Sequence, residues 1–120
     1  MRMLKKIVVL AAALLLTASS YAWAAGLNAL RTSSTAERDR IVFDFSEMPV
    51  YHVSLSDDGR ELTFDFVDTG AAKSVRSSVR TKRIDSVSYA ARKGHFYVTV
   101  TMAKGMVYNI GNLMNPARVF

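Results

Sequence analysis

Between Arg40 and Phe66 the chain alternates apolar and polar residues in three short runs. Ile41, Phe43 and Phe45 fall on one side and Val42, Asp44 and Ser46 on the other, the period of two that marks a half-buried strand. Tyr51, Val53 and Leu55 repeat the pattern with His52 and Ser54 outward, and Leu62, Phe64 and Phe66 repeat it around Thr63 and Asp65. Met48-Pro49 divides the first run from the second, and Asp57-Asp58-Gly59 the second from the third. Gly accepts a positive φ and Asp bonds its own backbone, so the latter triplet suits a tight turn. The pattern predicts a three-stranded antiparallel meander, with Phe43 and Phe64 in the core and Asp44 and Asp65 exposed.

The flanks continue in the same style. Leu27 to Arg31 is a short apolar run that suits an opening strand, and Thr32 to Asp39 reads as a loop or ragged hairpin turn. After a break at Asp68-Thr69-Gly70, Lys73 to Arg83 forms a polar, basic connector without periodicity. Ile84 to Tyr89 predicts another strand, Arg92-Lys93-Gly94 a turn, and His95 to Thr101 a strand with Phe96, Val98 and Val100 inward. Val107 to Leu113 predicts one more, loosened by Gly111, before a turn at Asn115-Pro116.

The two halves match in order. Leu27-x-x-Leu30 corresponds to Ile84-x-x-Val87, and Ile41, Phe43 and Phe45 to Phe96, Val98 and Val100. Tyr51-His52-Val53 corresponds to Tyr108-Asn109-Ile110, and Asp58-Gly59-Arg60 before Leu62 to Asn115-Pro116-Ala117-Arg118 before Val119. The expectation is an all-β sandwich of two similar antiparallel sheets, built by internal duplication. The counterpart of the Leu62–Phe66 strand begins at Arg118, so the last strand is expected to be short and its neighbour's ladder partly unpaired.

Composition enters through the first residues. Arg2, Lys5 and Lys6 precede an apolar run from Ile7 to Ala18, followed by the small-x-small sites Ser20-Tyr21-Ala22 and Ala22-Trp23-Ala24. This order is a secretory signal peptide, residues 1–24, expected to be helical and removed after Ala24. The run is too short for a spanning helix of about 20 residues, so membrane contact is expected only during export, with an uncleaved anchor as the alternative. The remaining domain, residues 25–120, is about 96 residues long and buries roughly 60–65% of its unfolded surface. It has no Cys, so neither a disulfide nor an acylated Cys anchor is available. Removing the three leader cations takes 16 Lys and Arg to 13 against 10 acids, a net charge of +3 instead of +6. Such a balance, in an exported chain, argues against a nucleic-acid partner.

Catalytic chemistry is thin. A zinc amidase needs His and Glu ligands around an open metal position, but the two His residues, His52 and His95, lack partners at ligand spacing. No Cys nucleophile exists and no Ser sits in a Gly-x-Ser-x-Gly elbow. Asp44 and Asp65 occupy equivalent places in two Phe-Asp-Phe triplets, where solubilising a sheet face is a simpler role than glycoside cleavage. No enzyme activity, metal or cofactor is expected.

Arg-Ile-Val-Phe-Asp-Phe, Tyr-His-Val, Gly-Arg-Glu-Leu-Thr-Phe-Asp-Phe and the second round ending Asn-Pro-Ala-Arg-Val-Phe together resemble the AMIN domain. That family stands at the N-termini of exported N-acetylmuramoyl-L-alanine amidases and in secretin and type IV pilus proteins. The resemblance spans Leu27 to Phe120 and implies a β-sandwich that binds peptidoglycan and places its host on the wall, in the periplasm. It leaves two alternatives: a module docking envelope proteins of a secretion or pilus assembly, or the front end of an amidase. The outward residues Asp44, Thr63, Asp65, Tyr97 and Thr99 then become candidate ligand contacts, with hydroxyls for glycan or peptide and one ring for stacking. They would equally serve as ordinary solvated sheet. Arg76, Arg80 and Arg83, in the run with Lys73 and Lys82, are the candidate electrostatic contacts to an anionic wall.

Overall fold

A computed structural model describes residues 23–120; the leader up to residue 22, with its expected helix, lies outside the described residues. The described chain is all β, apart from one 3₁₀ turn at Lys73–Val75. Its strands are β1 Ala25–Ser34, β2 Asp39–Phe45, β3 Tyr51–Leu55, β4 Glu61–Val67, β5 Thr69–Ala71, β6 Ile84–Arg92, β7 His95–Met102, β8 Asn112–Leu113 and β9 Arg118–Val119. They form a five-stranded sheet in the order β5-β1-β2-β9-β8 and a four-stranded sheet in the order β3-β4-β7-β6.

The expected meander is broken at its first corner. β2 and β3 belong to different sheets, because the chain crosses between layers at Ser46–Val50, where Pro49 lacks the N–H a continuing ladder needs. β3 and β4 do pair, joined by the Asp-Asp-Gly turn, in which Gly59 has φ +75° and Asp58 accepts the Arg60 N–H at 3.0 Å. The sheets are also not wholly antiparallel. Asp68, at φ +47°, carries the chain straight from β4 into the other sheet, so β5 arrives parallel to β1.

Thr32 to Asp39 is mostly strand. β1 and β2 pair as far as Ser34 and Asp39, and the reversal is confined to Thr35–Arg38, where the Thr35 hydroxyl accepts the Glu37 and Arg38 amides. The β6–β7 hairpin turns on two residues, Lys93 at φ +50° and Gly94 at φ +82°. Two positive φ values are the signature of a type I′ turn, whose twist matches the flanking strands.

The duplication emerges as a symmetry of register. Leu30 faces Phe43 and Val87 faces Val100, each residue of the second pair lying 57 positions after its counterpart. The same shift relates Leu55–Leu62 to Asn112–Val119, and Phe43–Val119 to Val100–Leu62 with halves exchanged. Even the bulge recurs, between Leu27 and Ala29 and between Ile84 and Ser86. Each half therefore contributes one hairpin to each sheet, so β1-β2-β9-β8 in one sheet is the image of β6-β7-β4-β3 in the other. The sequence alignment of β2 with β7 was two residues out of step: Phe43 matches Val100, not Val98.

Between the layers lies one apolar core. Phe43, Phe66, Phe96, Leu27, Val75, Val98 and Val119 are its most deeply buried large side chains. Phe66 is the hub, with ring centroids 5.2 Å from Phe43, 4.9 Å from Phe45 and 5.9 Å from Phe64. The supposed loose connector after Lys73 is a strap, since Val75 and Val79 are buried and anchor it across the sandwich. Val42, expected outward in water, is buried too; the next step of the β2–β9 register sets Phe120 beside it. Trp23 lies against Gly70 so closely that a Cβ there would stand 2.2 Å from the ring.

β8 is the largest departure from the alternation. The run Val107 to Leu113 predicts a full strand, and only Asn112–Leu113 forms one. Its counterpart β3 has a ladder partner for each of its residues, in Leu62–Phe66 of β4, whereas β9 offers β8 only Arg118 and Val119. Gly111 and Phe120 add one reciprocal pair of backbone bonds, 2.8 and 2.9 Å. An alternating segment without a partner strand has nowhere to satisfy its backbone groups in a sheet.

Candidate functional site

The four-stranded sheet turns its even-period face outward. Its inward residues, Leu62, Phe64 and Phe66 of β4 and Phe96, Val98, Val100 and Met102 of β7, are all buried. The intervening residues therefore stand on the other face. Register then fixes who is beside whom. Ser54 pairs with Thr63, Thr63 with Thr99, and Thr99 with Ser88, which lays four hydroxyls in one row across all four strands. At the usual strand spacing this row spans about 14 Å. The Thr63 and Thr99 hydroxyls are 3.1 Å apart and hydrogen-bond to each other, which fixes both rotamers at the centre of the row.

A second row runs His52, Asp65, Tyr97, Ala90. Asp65 is not the freely exposed carboxylate expected. Its Oδ1 lies 2.7 Å from His95 Nδ1, and the His95 ring stacks on Tyr97 at 5.8 Å with 11° between planes. The face thus offers paired hydroxyls, a carboxylate, two imidazoles and one ring, on a rigid sheet. Such a surface can exchange hydrogen bonds with hydroxyls and amides and stack one ring.

Of the sequence candidates, Thr63, Asp65, Tyr97 and Thr99 come together here. Asp44 does not. It lies on the outward face of the other sheet, its side chain 23% exposed, bound by Arg31 through Nε to Oδ2 at 2.6 Å and Nη2 to Oδ1 at 2.9 Å. The connector cations separate as well. Arg76 stands over the Phe96 ring at 5.4 Å, while Arg80 is exposed on the strap.

Arg83 serves as a clamp. Its Nη1 donates to Thr35 O and Asp39 Oδ1, both at 3.1 Å, and its Nη2 to Ala36 O at 2.5 Å, tying β6 to the β1–β2 turn. Asp39, with a side chain only 6% exposed, completes the joint by accepting from the Thr81 hydroxyl. Burial alone would raise this carboxyl. Hydrogen bonds from Thr81, Ser34 and Arg83, with the Arg83 charge, outweigh burial and hold it below its ordinary value of 3.8.

Ser88 and His95 belong to the face and were missed in the sequence. Their signal is the β4–β7–β6 register, which places them diagonally or directly beside the chosen residues and cannot be read from either strand alone. Among the described residues no group of three or more His, Cys, Asp or Glu is arranged to hold a metal ion. No family model, curated protein or solved structure matches the chain.

Proposed function

We propose that the chain is an exported, non-catalytic module that binds peptidoglycan, in the manner implied by its resemblance to the AMIN domain. The reading rests on one observation, the four-strand row Ser54-Thr63-Thr99-Ser88 flanked by Asp65, His95 and Tyr97. A glycan strand is a chain of hydroxyls and amides on rigid rings, and a flat row of side-chain hydroxyls on a pre-formed sheet meets it at little ordering cost. Tyr97 supplies the single stacking surface. The exposed cations Arg76, Arg80 and Lys82 line the strap and give the module a salt-screened attraction to anionic wall polymers.

Co-sedimentation with purified sacculi tests this reading. The chain pellets with sacculi, and the double variant Thr63→Val with Thr99→Val, which keeps the strand shape and removes the central hydroxyls, stays in the supernatant. Equal pelleting of the two folded proteins removes the face from the account.

A further inference from the structure

We propose that the leader is cut after Ala22 and not after Ala24, so that Trp23 is the first residue of the exported chain and part of its folded domain. This cut rests on the export proposed above and is carried by one fit in the fold. Both small-x-small sites, Ser20-Tyr21-Ala22 and Ala22-Trp23-Ala24, offer a leader peptidase two small side chains with one residue between them. The leader's own residues therefore do not choose between them. The packing of Trp23 does.

Gly70 lies in β5, paired with Gly26 of β1. It is not among the glycines with positive φ, so its backbone has no need of glycine. The indole of Trp23 has that need. The three atoms nearest to a Cβ at position 70 all belong to Trp23, with Cδ1 at 2.2 Å, Nε1 at 2.5 Å and Cγ at 2.9 Å. Cγ and Cδ1 stand at the root of the ring, so any larger residue at 70 would have to move the whole indole. Glycine weakens a strand interior and marks sites where another group comes close. The far side of the ring reaches the β6–β7 turn, where Cζ3 lies 3.5 Å from the Cβ position of Gly94. The Thr69 amide donates to Gly94 O at 3.2 Å in the same corner. Trp23 thus covers the joint between β5 and the β6–β7 hairpin.

A discarded residue could not impose that demand. The peptidase cuts an extended chain as it crosses the membrane, before the domain folds, so a residue removed then never meets Gly70. The new α-amino group argues in the same direction. A cut after Ala24 places the ammonium on Ala25, which is 2% exposed and whose backbone nitrogen donates to Asp68 O at 3.2 Å, at the head of the β1–β5 ladder. A charge at such a position loses its hydration. A cut after Ala22 places it on Trp23, 49% exposed, with exposed Ala24 between it and the ladder.

The test expresses the full chain in an exporting bacterium and reads the exported product by N-terminal sequencing, intact mass and indole fluorescence. The expected product begins Trp-Ala-Ala-Gly-Leu and fluoresces, because Trp23 is the chain's one Trp. Any other first residue overturns the cut. A product that begins at Ala25 and lacks indole emission does so while leaving export intact, whereas a chain that keeps its leader in the cytoplasm overturns the export reading too. The fit is measured separately in the full chain. Gly70→Ala is expected to shift the Trp23 emission to the red and to lower Tm by about 4 °C, and to lower it by under about 1 °C in a Trp23→Gly background. Equal shifts in the two backgrounds would remove the fit and the cut with it.

Discussion

The strands at the centres of the two sheets, β7 and β2, are images of one another and have different neighbours. β7 is paired along seven residues of β4, from Thr101 to His95, while β2 is paired by β9 at two. Around β7 the counterpart hairpin is complete and its outer strand, β3, is regular. Around β2 the residues Tyr108-Asn109-Ile110 carry the same alternation as Tyr51-His52-Val53 and remain outside any strand. The pair shows that alternation proposes a strand and a ladder partner disposes of it, since β-propensity expresses fit to neighbours more than an intrinsic backbone preference.

The largest effect that sharpens this contrast is at Phe66. It fills the completed socket, so Phe66→Ala is expected to cost about 3–5 kcal/mol, much of the typical stability of about 5–15 kcal/mol. A urea unfolding curve measures it, and a loss under about 1 kcal/mol would remove Phe66 from the hub.

Asp39 is next. Its counterpart is Phe96, a core residue. The open half instead has a buried carboxylate clamped by Arg83 and Thr81, so Asp39→Asn is expected to cost about 1–3 kcal/mol at pH 7. Because the folded-state carboxyl titrates below its ordinary value, its contribution is present above that value and is lost as pH falls through the folded one. The gap between the two proteins should therefore close in acid. A gap equally wide at pH 7 and pH 3 would contradict the clamp.

The smallest effect divides the two tyrosines. Tyr51 packs on Phe66 at 6.2 Å and accepts from Asn112 Nδ2 at 2.7 Å, whereas Tyr108 is 40% exposed on the open side. Tyr51→Ala should cost about 2 kcal/mol, and Tyr108→Ala less than about 0.5 kcal/mol. Equal losses would mean that the two sockets are equally filled.

Much of this was legible in the residues. Period-two alternation located β2, β3, β4 and β7 and set Phe43, Phe64 and Val98 inward, because burial on one face leaves its mark on every second residue. The repeat was visible in its order. What escaped the sequence was relational. Pro49 marks a break but does not say that the chain changes sheets there. Val75 and Val79 are two apolar residues in a basic run, too few to announce a buried strap. The Asp65–His95 contact and the hydroxyl row through Ser88 exist only once β4, β7 and β6 are in register. Asp44 shows the converse, matching Asp65 in its triplet yet facing solvent from the opposite sheet beside Arg31.

Native-state hydrogen exchange tests the central claim, one unit used twice with one half open, most directly. With neighbours on both sides, every amide of Phe96–Val98 should be strongly protected. In the matching stretch Asp39–Ile41, the amides bonded to β1 should be protected and those on the flank that β9 does not reach should exchange near the solvent rate. Uniform protection along Asp39–Ile41, equal to that of Phe96–Val98, would contradict the account.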